Sequence, residues 1–388
     1  MAGRDAAPRV ALFTDTFTPQ VNGVARTLER LVDAIRERGG EAIVVTVDAP
    51  GVPADGIMRW PAIPFWRYPE LRIAAPSTRD ARRVIRAMRP DLVHVATPFG
   101  VGLAARRAAA LDGVPLVSSF HTDFAQYLRH YHLGALDAVA WPYLRWFHNA
   151  GARTFAPTRL GAASLVSRGF RNVSVWGRGV DRSQFSPAFR NASLRRALGI
   201  RDTDIMVASV GRLAPEKGVG VLLEAMSRVH DVGGNRVRLA LAGDGPAERQ
   251  FRGNAPAGTV FAGRLTGRRL SEFYASADVF AFASTTDTFG NVLLEAMASG
   301  LPVLAPDRGP TLEVAGHENA LLVAVEDPAA LANGLQQLAG DVALRRRLTI
   351  RSLETAAARD WNTVWDDLFA EYRAVAGTPV SAATPRPR

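Results

Sequence analysis

The sequence predicts an α/β protein built from two doubly wound parallel-sheet domains, and three observations support that prediction. Short apolar runs alternate with segments of helical periodicity along nearly the whole chain. The alternation comes as two successive series, as expected of 388 residues, which exceed what one ordinary core fills. Glycine turns and charged residues cluster where the apolar runs end, the edge at which open α/β sheets bind ligands.

In the first series Val10 to Phe13, Ala42 to Val47, Leu92 to Val95 and Pro115 to Ser118 read as strands. Each is a short apolar run without alternation, as suits a parallel strand covered on both faces. Thr27 to Arg38, Arg79 to Met88 and Gly102 to Leu111 read as the helices between them. The second series has strands at Ile205 to Val210, Val237 to Ala242, Thr259 to Phe261, Val279 to Phe282, Pro302 to Ala305 and Leu321 to Val325. Its helices are Val219 to Val229, Leu270 to Ala275, Asn291 to Ala298 and Pro328 to Leu338. Gly177 to Pro187 has the glycine and proline content of a hinge. Trp361, Val364, Trp365, Leu368, Phe369 and Tyr372 form an apolar stripe on a helix from Asp360 to Val375, expected to cross the junction back to the first domain. The expected divisions are therefore 1–180, 181–358, the helix 359–376, and a Pro-, Ala- and Thr-rich tail 377–388 expected to be disordered.

Composition narrows the function. Without cysteine there is no disulfide scaffold, thiolate zinc site or cysteine nucleophile, which fits a reducing cytoplasm. Residues 1–10 lack a signal-peptide apolar run, and no stretch reaches the roughly 18 apolar residues of a membrane span, so a soluble, cytoplasmic protein is expected. The net charge of +10 is uneven: residues 1–180 hold 23 Arg against 14 acids, residues 181–388 hold 24 Lys plus Arg against 23. A basic first half suits an anionic surface such as lipid headgroups, or is a dispersed solubilising charge. No nucleic-acid module signature accompanies it, so nucleic acid is not expected as a partner.

Lys217 is the only lysine among 47 Lys plus Arg. A composition so far drifted toward arginine keeps lysine where a compact ammonium on a flexible stem is needed, or by chance on a solvated helix start. Arg212 lies five residues earlier, after the first strand of the second series, and the two cations together suggest a diphosphate. The strongest local signal is Thr286 to Gly300. It follows an apolar strand, turns through Gly290 and enters a helix, offering the backbone N–H groups of residues 290–293 to an anion. Asp287 precedes the turn and Glu295 lies one turn into the helix, two carboxylates placed as hydroxyl acceptors for different parts of one ligand. Asn22-Gly23 and Gly243-Asp244-Gly245-Pro246 also follow strands.

On Phe13 to Val24, Phe120-His121-Thr122-Asp123-Phe124, Gly211 to Gly218 and Asp287 to Glu295, the chain resembles the retaining glycosyltransferases of family 4 over nearly its whole length. It is most similar to GDP-mannose-dependent α-mannosyltransferases and to transferases that glycosylate diacylglycerol or phosphatidylinositol lipids. The resemblance implies the GT-B fold: two Rossmann-like domains facing a cleft, the first binding acceptor, the second nucleotide-sugar, with closure about the hinge excluding water. It implies roles residue by residue. Glu295 holds the donor ribose, and Asp287, where the family more often has Glu, holds the transferred sugar. Arg212 and Lys217 neutralise the diphosphate with the backbone N–H groups of Gly290, Asn291 and Val292, beside Phe289. Gly263, Arg264 and Leu265 lie near the base. His121 matches a histidine near the transferred sugar, although a histidine ending a buried strand also serves as a hydrogen-bonded structural group. Gly23 matches a loop whose backbone approaches phosphate or sugar, and here Asn22-Gly23 stands where the family often has Gly-Gly.

The catalytic set expected on this resemblance is His121, Arg212, Lys217 and Asp287. No cofactor or metal is expected: His121, His130 and His132 lack accompanying acidic or cysteine ligands, and Asp202-Thr203-Asp204 precedes a strand and reads as a turn or cap. The implied reaction moves a hexose, mannose first, from a nucleotide diphosphate to a lipid or glycan hydroxyl by front-face transfer. Pro61 to Arg72 and Trp141 to His148 mix aromatic rings with arginines, which suits a peripheral position on the inner face of a membrane, and equally buried aromatics beside surface arginines. The alternatives are a UDP-sugar-dependent transferase acting on diacylglycerol or another acceptor and, more remotely, a nucleotide-sugar epimerase. Oligomeric state is not readable from the sequence.

Overall fold

In the computed structural model, the described residues are 7–20, 22–48, 57–65, 68–121, 123, 137–231, 233–234 and 236–377. The expected tail beyond Gly377, and Val21, Trp66, Arg67, Thr122, Phe124, His130 and His132, lie outside them. The chain divides into two units, the first drawn from residues 1–122, 135–177 and 362–388, the second from 178–361 with Asp123.

The first unit is built on a seven-stranded sheet. Its strands are β1 Val10–Phe13, β2 Ala42–Val47, β3 Met58–Trp60, β6 Leu92–Val95, β7 Leu116–Ser119, β8 Arg153–Ala156 and β9 Val173–Val175, in the order β3-β2-β1-β6-β7-β8-β9. A separate antiparallel hairpin, β4 Ala62–Phe65 with β5 Tyr68–Ala74, follows β3. The seven strands pair in parallel, since each return to the starting edge passes through a crossover, several of them helices. Strand β1, buried at every residue, pairs with β2 on one side and β6 on the other, so the strand order reverses there.

The chain returns to this unit through the helix Trp361–Ala376. Its stripe at Trp365, Leu368, Phe369 and Tyr372 is buried, with Trp365 against Trp176 and Tyr372 against Phe155. Trp361, the first of the expected stripe, instead packs on Gly179 of the second unit.

The second unit repeats the plan with β10 Ile205–Val210, β11 Val237–Ala242, β12 Val260–Gly263, β13 Val279–Ala281, β14 Val303–Pro306 and β15 Ala320–Val323, ordered β12-β11-β10-β13-β14-β15. Helices lie on both faces, and two apolar clusters, one around Phe273, Phe280 and Met297, the other around Leu222, Leu239 and Leu335, fill the space against the sheet. Asp202 to Asp204 forms a turn before β10. Asp204 accepts bonds from the Arg201 N–H and from the Arg201 and Arg236 side chains. Burial opposes its charge, but these donors hold the carboxyl well below the usual carboxylate range.

Candidate active site

The second unit gathers most of the candidate residues at the C-terminal edge of its sheet. After β10 the chain turns through Arg212 and a 3₁₀ turn, Pro215–Lys217, into the helix Val219–Met226. Gly218 ends that turn at φ +69°, and a Cβ there would lie 2.2 Å from the Ala283 carbonyl oxygen, so only glycine brings this loop against the one following β13. The close approach has a direct result: Lys217 Nζ lies 3.0 and 2.9 Å from the two carboxylate oxygens of Asp287. Thr286 Oγ1 also donates to the Glu216 carbonyl at 3.2 Å, fastening the same two loops.

Arg212 has its own carboxylate. Glu216, 1% exposed, places Oε1 3.6 Å from Arg212 Nη1. Burial draws the guanidinium below its ordinary range, and the Glu216 charge works against that shift. Each of the two cations therefore sits beside a side-chain carboxylate. Glu216 was not among the residues the sequence singled out, although it lies between them.

The helix Asn291–Ala298 starts from Gly290 at φ +82°, and no side chain among the described residues caps it. Leu293 N–H bonds the Gly290 carbonyl, while among the described residues the N–H groups of Asn291 and Val292 have no paired acceptor. Two such groups at a helix start form an anion site. Phe289 before them is buried, and Glu295 one turn on accepts a 2.9 Å hydrogen bond from Tyr274, itself buried in the helix Gly267–Ser276. Tyr274 thus orients the carboxylate read as the ribose acceptor. Gly263 ends β12 and accepts the Gly243 N–H, Arg264 lies 4.0 Å from Asp244, and Leu265 packs on the core.

Gly23 and His121 belong to the first unit. Asn22 is the N-cap of the helix Gly23–Glu37, its Oδ1 accepting from the Ala25 N–H at 2.8 Å while its Nδ2 donates to Thr16 Oγ1. Asparagine in place of the family's first glycine therefore fixes the helix start. Gly23 is the exposed first residue of that helix. His121 follows β7, half-buried, with its ring edge-on to Trp176 and its Nε2 2.7 Å from Ser119 Oγ. Ser119 Oγ also meets His94 Nε2 at 2.9 Å, and His94 Nδ1 meets the Tyr372 hydroxyl.

At the strand-order reversal of this unit, Asp15 follows β1 and is 1% exposed. Its carboxylate accepts from Thr97 Oγ1 at 2.6 Å and from the Val101 N–H at 3.1 Å, in the first turn of the helix Gly100–Asp112. Burial raises its pKa to about 6, although those hydrogen bonds pull the other way.

Comparison with known proteins places the chain in a family. A model of Glycosyltransferase Family 4 matches residues 21–184, and a model of Glycosyl transferases group 1 matches residues 204–341. A GDP-mannose-dependent alpha-mannosyltransferase of Mycobacterium tuberculosis is 34% identical over 97% of this chain and 99% of its own length. An alpha-monoglucosyldiacylglycerol synthase of Streptococcus pneumoniae is 28% identical over 76% of this chain and 70% of its own. The crystal structure of Anabaena Alr3699/HepE in complex with UDP and glucose, 20% identical, covers 94% of this chain and 100% of that one with a TM-score of 0.75, showing a shared fold. The two doubly wound units define a glycosyltransferase with the GT-B fold. The chain belongs to glycosyltransferase family 4.

Proposed function

We propose that the protein transfers mannose from GDP-mannose to a hydroxyl of a glycolipid, with retention at the anomeric carbon and without a metal ion. The observation that supports this most directly is the Lys217–Asp287 pair beside the uncapped turn at 290–292. It sits between β10 and β13, where the strand order reverses, the usual ligand position in such sheets. The full-length mannosyltransferase relative supports mannose and GDP.

In this reading the β-phosphate lies on the Asn291 and Val292 N–H groups, with Arg212 and Lys217 alongside. Asp287 turns from Lys217 to a sugar hydroxyl, and Glu295, steadied by Tyr274, takes the ribose. The bond from the anomeric carbon to the phosphate oxygen breaks and leaves its electron pair on GDP. Fixed cations and N–H groups aimed at that oxygen favour the transition state over the ground state. The acceptor oxygen bonds the anomeric carbon from the same face, and its proton passes to the departing phosphate. The first unit takes the acceptor. Trp146, 47% exposed with the Arg106 guanidinium 3.9 Å from its ring centre, lines a shallow depression with Arg145 and Arg171, a combination suited to lipid headgroups at the cytoplasmic face of a membrane.

A UDP-sugar donor with a diacylglycerol acceptor is the second reading, favoured by the likeness to the pneumococcal synthase. Thermal-shift measurements with GDP-mannose, UDP-glucose, UDP-galactose and their nucleotides separate the two, since only a ligand of the native state raises the melting temperature. The proposal expects the largest shift from GDP and GDP-mannose. A larger shift from the uridine series overturns the donor, and an isomerised sugar from donor alone would make the protein an epimerase.

A further inference from the structure

Three acids are buried among the described residues, and two of them are hydrogen-bonded. Asp15 accepts from Thr97 and the Val101 N–H, and Asp204 from Arg201 and Arg236. Glu216 is the exception: it is 1% exposed, and neither carboxylate oxygen has a hydrogen-bond partner among the described residues. A buried carboxylate left unbonded is costly, and its place among the donor-site loops points to a role other than holding the fold. The backbone around it is pinned. Pro215–Lys217 is a single 3₁₀ turn, entered from buried Ala214 and closed by Gly218 against the Ala283 carbonyl, and the Glu216 carbonyl accepts from Thr286 Oγ1 at 3.2 Å. Arg212 Nη1 lies 3.6 Å from Glu216 Oε1, within ion-pair range and beyond a hydrogen bond. The Arg212 side chain is 21% exposed, and burial draws its guanidinium below the ordinary range while the Glu216 charge works against that shift. Lys217, the next residue, turns to Asp287 instead, so the two carboxylates are divided between the two cations.

We propose that Glu216 is a positioning residue that acts through Arg212: its carboxylate holds the guanidinium at the sheet edge, ready for the donor diphosphate. This rests on the reading of Arg212 as a ligand of that diphosphate. Charge alone predicts the opposite effect. A carboxylate this close to an anion repels it, so a Glu216 that did not act through Arg212 would weaken diphosphate binding, and its removal would tighten it. Positioning outweighs repulsion because a long arginine side chain without its partner gains freedom to turn its charged end to solvent, and ordering it again opposes binding. The sign of the effect therefore separates the two roles.

Calorimetric titration of GDP and GMP into the intact parent, Glu216→Gln, Arg212→Ala and the double variant tests it, with UDP and UMP in their place should uridine bind better. Glutamine keeps the shape and removes the charge. GDP should bind Glu216→Gln about fivefold to tenfold more weakly than the parent, with GMP little changed. Added to Arg212→Ala, the same substitution should bring no further loss of GDP affinity, since the residue it acts through is gone. Unaltered or tighter GDP binding in Glu216→Gln overturns the proposal, and so does an equal loss in the Arg212→Ala background. A carboxylate that only steadied the fold would lower the melting temperature and weaken GDP and GMP alike, which would overturn it too. If Glu216→Gln does not fold, Glu216→Asp, which draws the carboxylate back by one methylene, carries the test: GDP should weaken, and parent affinity contradicts the proposal. An Arg212→Ala variant that keeps the parent preference for GDP over GMP would sink the reading of Arg212 as a diphosphate ligand, and the proposal with it. Loss of that preference in Arg212→Ala but not in Glu216→Gln leaves the reading standing and overturns the proposal alone.

Discussion

The two units share one strand order over six strands, the first adding a seventh at its edge, and both reverse it at their first strand, yet they treat the helix that follows the reversal in opposite ways. In the first unit the helix Gly100–Asp112 receives a carboxylate from the protein itself: Asp15 accepts the Val101 N–H and is locked by Thr97. In the second, the helix Asn291–Ala298 has no side-chain cap, and the nearby carboxylate Asp287 is turned to Lys217. A helix start attracts negative charge in either case. Where the chain supplies that charge the site is sealed and structural. Where it turns its carboxylate to Lys217 instead, the helix start stays open, as the proposed binding of a diphosphate requires. The fold fixes the position, and a few side chains decide its use.

The largest effect that would sharpen this contrast comes from Lys217→Ala. Loss of a cation aimed at the leaving phosphate should lower kcat/KM about a hundredfold to a thousandfold, measured with GDP-mannose. The Lys217–Asp287 pair is itself partly exposed, so the melting temperature should move little. Asn291→Asp offers the second helix a carboxylate as the first one has. It should raise donor KM about tenfold by repelling the diphosphate while leaving the melting temperature unchanged or higher, because an acid suits a helix start. A variant with parent KM would break the comparison.

Asp15→Asn makes the opposite test in the first unit. The folded-state pKa of Asp15 is raised from 3.8 to about 6, so its carboxyl favours the fold when protonated. That stability is complete below the unfolded pKa and is lost as pH rises through about 6, a loss on the order of 3 kcal/mol. In Asp15→Asn, which keeps an oxygen for the Val101 N–H, the melting temperature should no longer carry this contribution between pH 4 and 6.5. At pH 7.5 it should equal or exceed the parent value, with donor affinity unaltered. An unchanged pH dependence contradicts the assignment. The smallest effect is expected for Tyr274→Phe, which frees Glu295 of one hydrogen bond and should raise donor KM about threefold to tenfold.

The sequence made the second unit legible where runs are apolar on both faces: Ile205–Val210, Val237–Ala242 and the helix Asn291–Ala298 are found at the residues expected. It did not reveal β8 and β9. Arg153–Ala156 begins on a charged residue, and Val173–Val175 is three residues long with an exposed end, so neither forms an apolar run. The helix Val342–Ala357 escaped for a similar reason, since arginines interrupt it and Val342, Ile350 and Leu353 face solvent. Among the candidate site residues, Lys217, Asp287 and Glu295 could be singled out from sequence because their motif is local. Tyr274 and His94 were not, because a hydroxyl or ring acquires its contacts from partners 21 and 278 positions away. Asp15 was legible as part of a motif and silent about its function, which depends on Thr97 and Val101 across the strand reversal.

The central claim is that the second switch point holds a β-phosphate through Lys217 and the open helix start. Calorimetric binding of GDP and GMP to the parent and to Lys217→Ala tests it most directly, with UDP and UMP in their place should uridine bind better. GDP should bind the parent at least about tenfold more tightly than GMP, and most of that difference should vanish in the variant. A difference that survives the loss of Lys217 undiminished would contradict the claim.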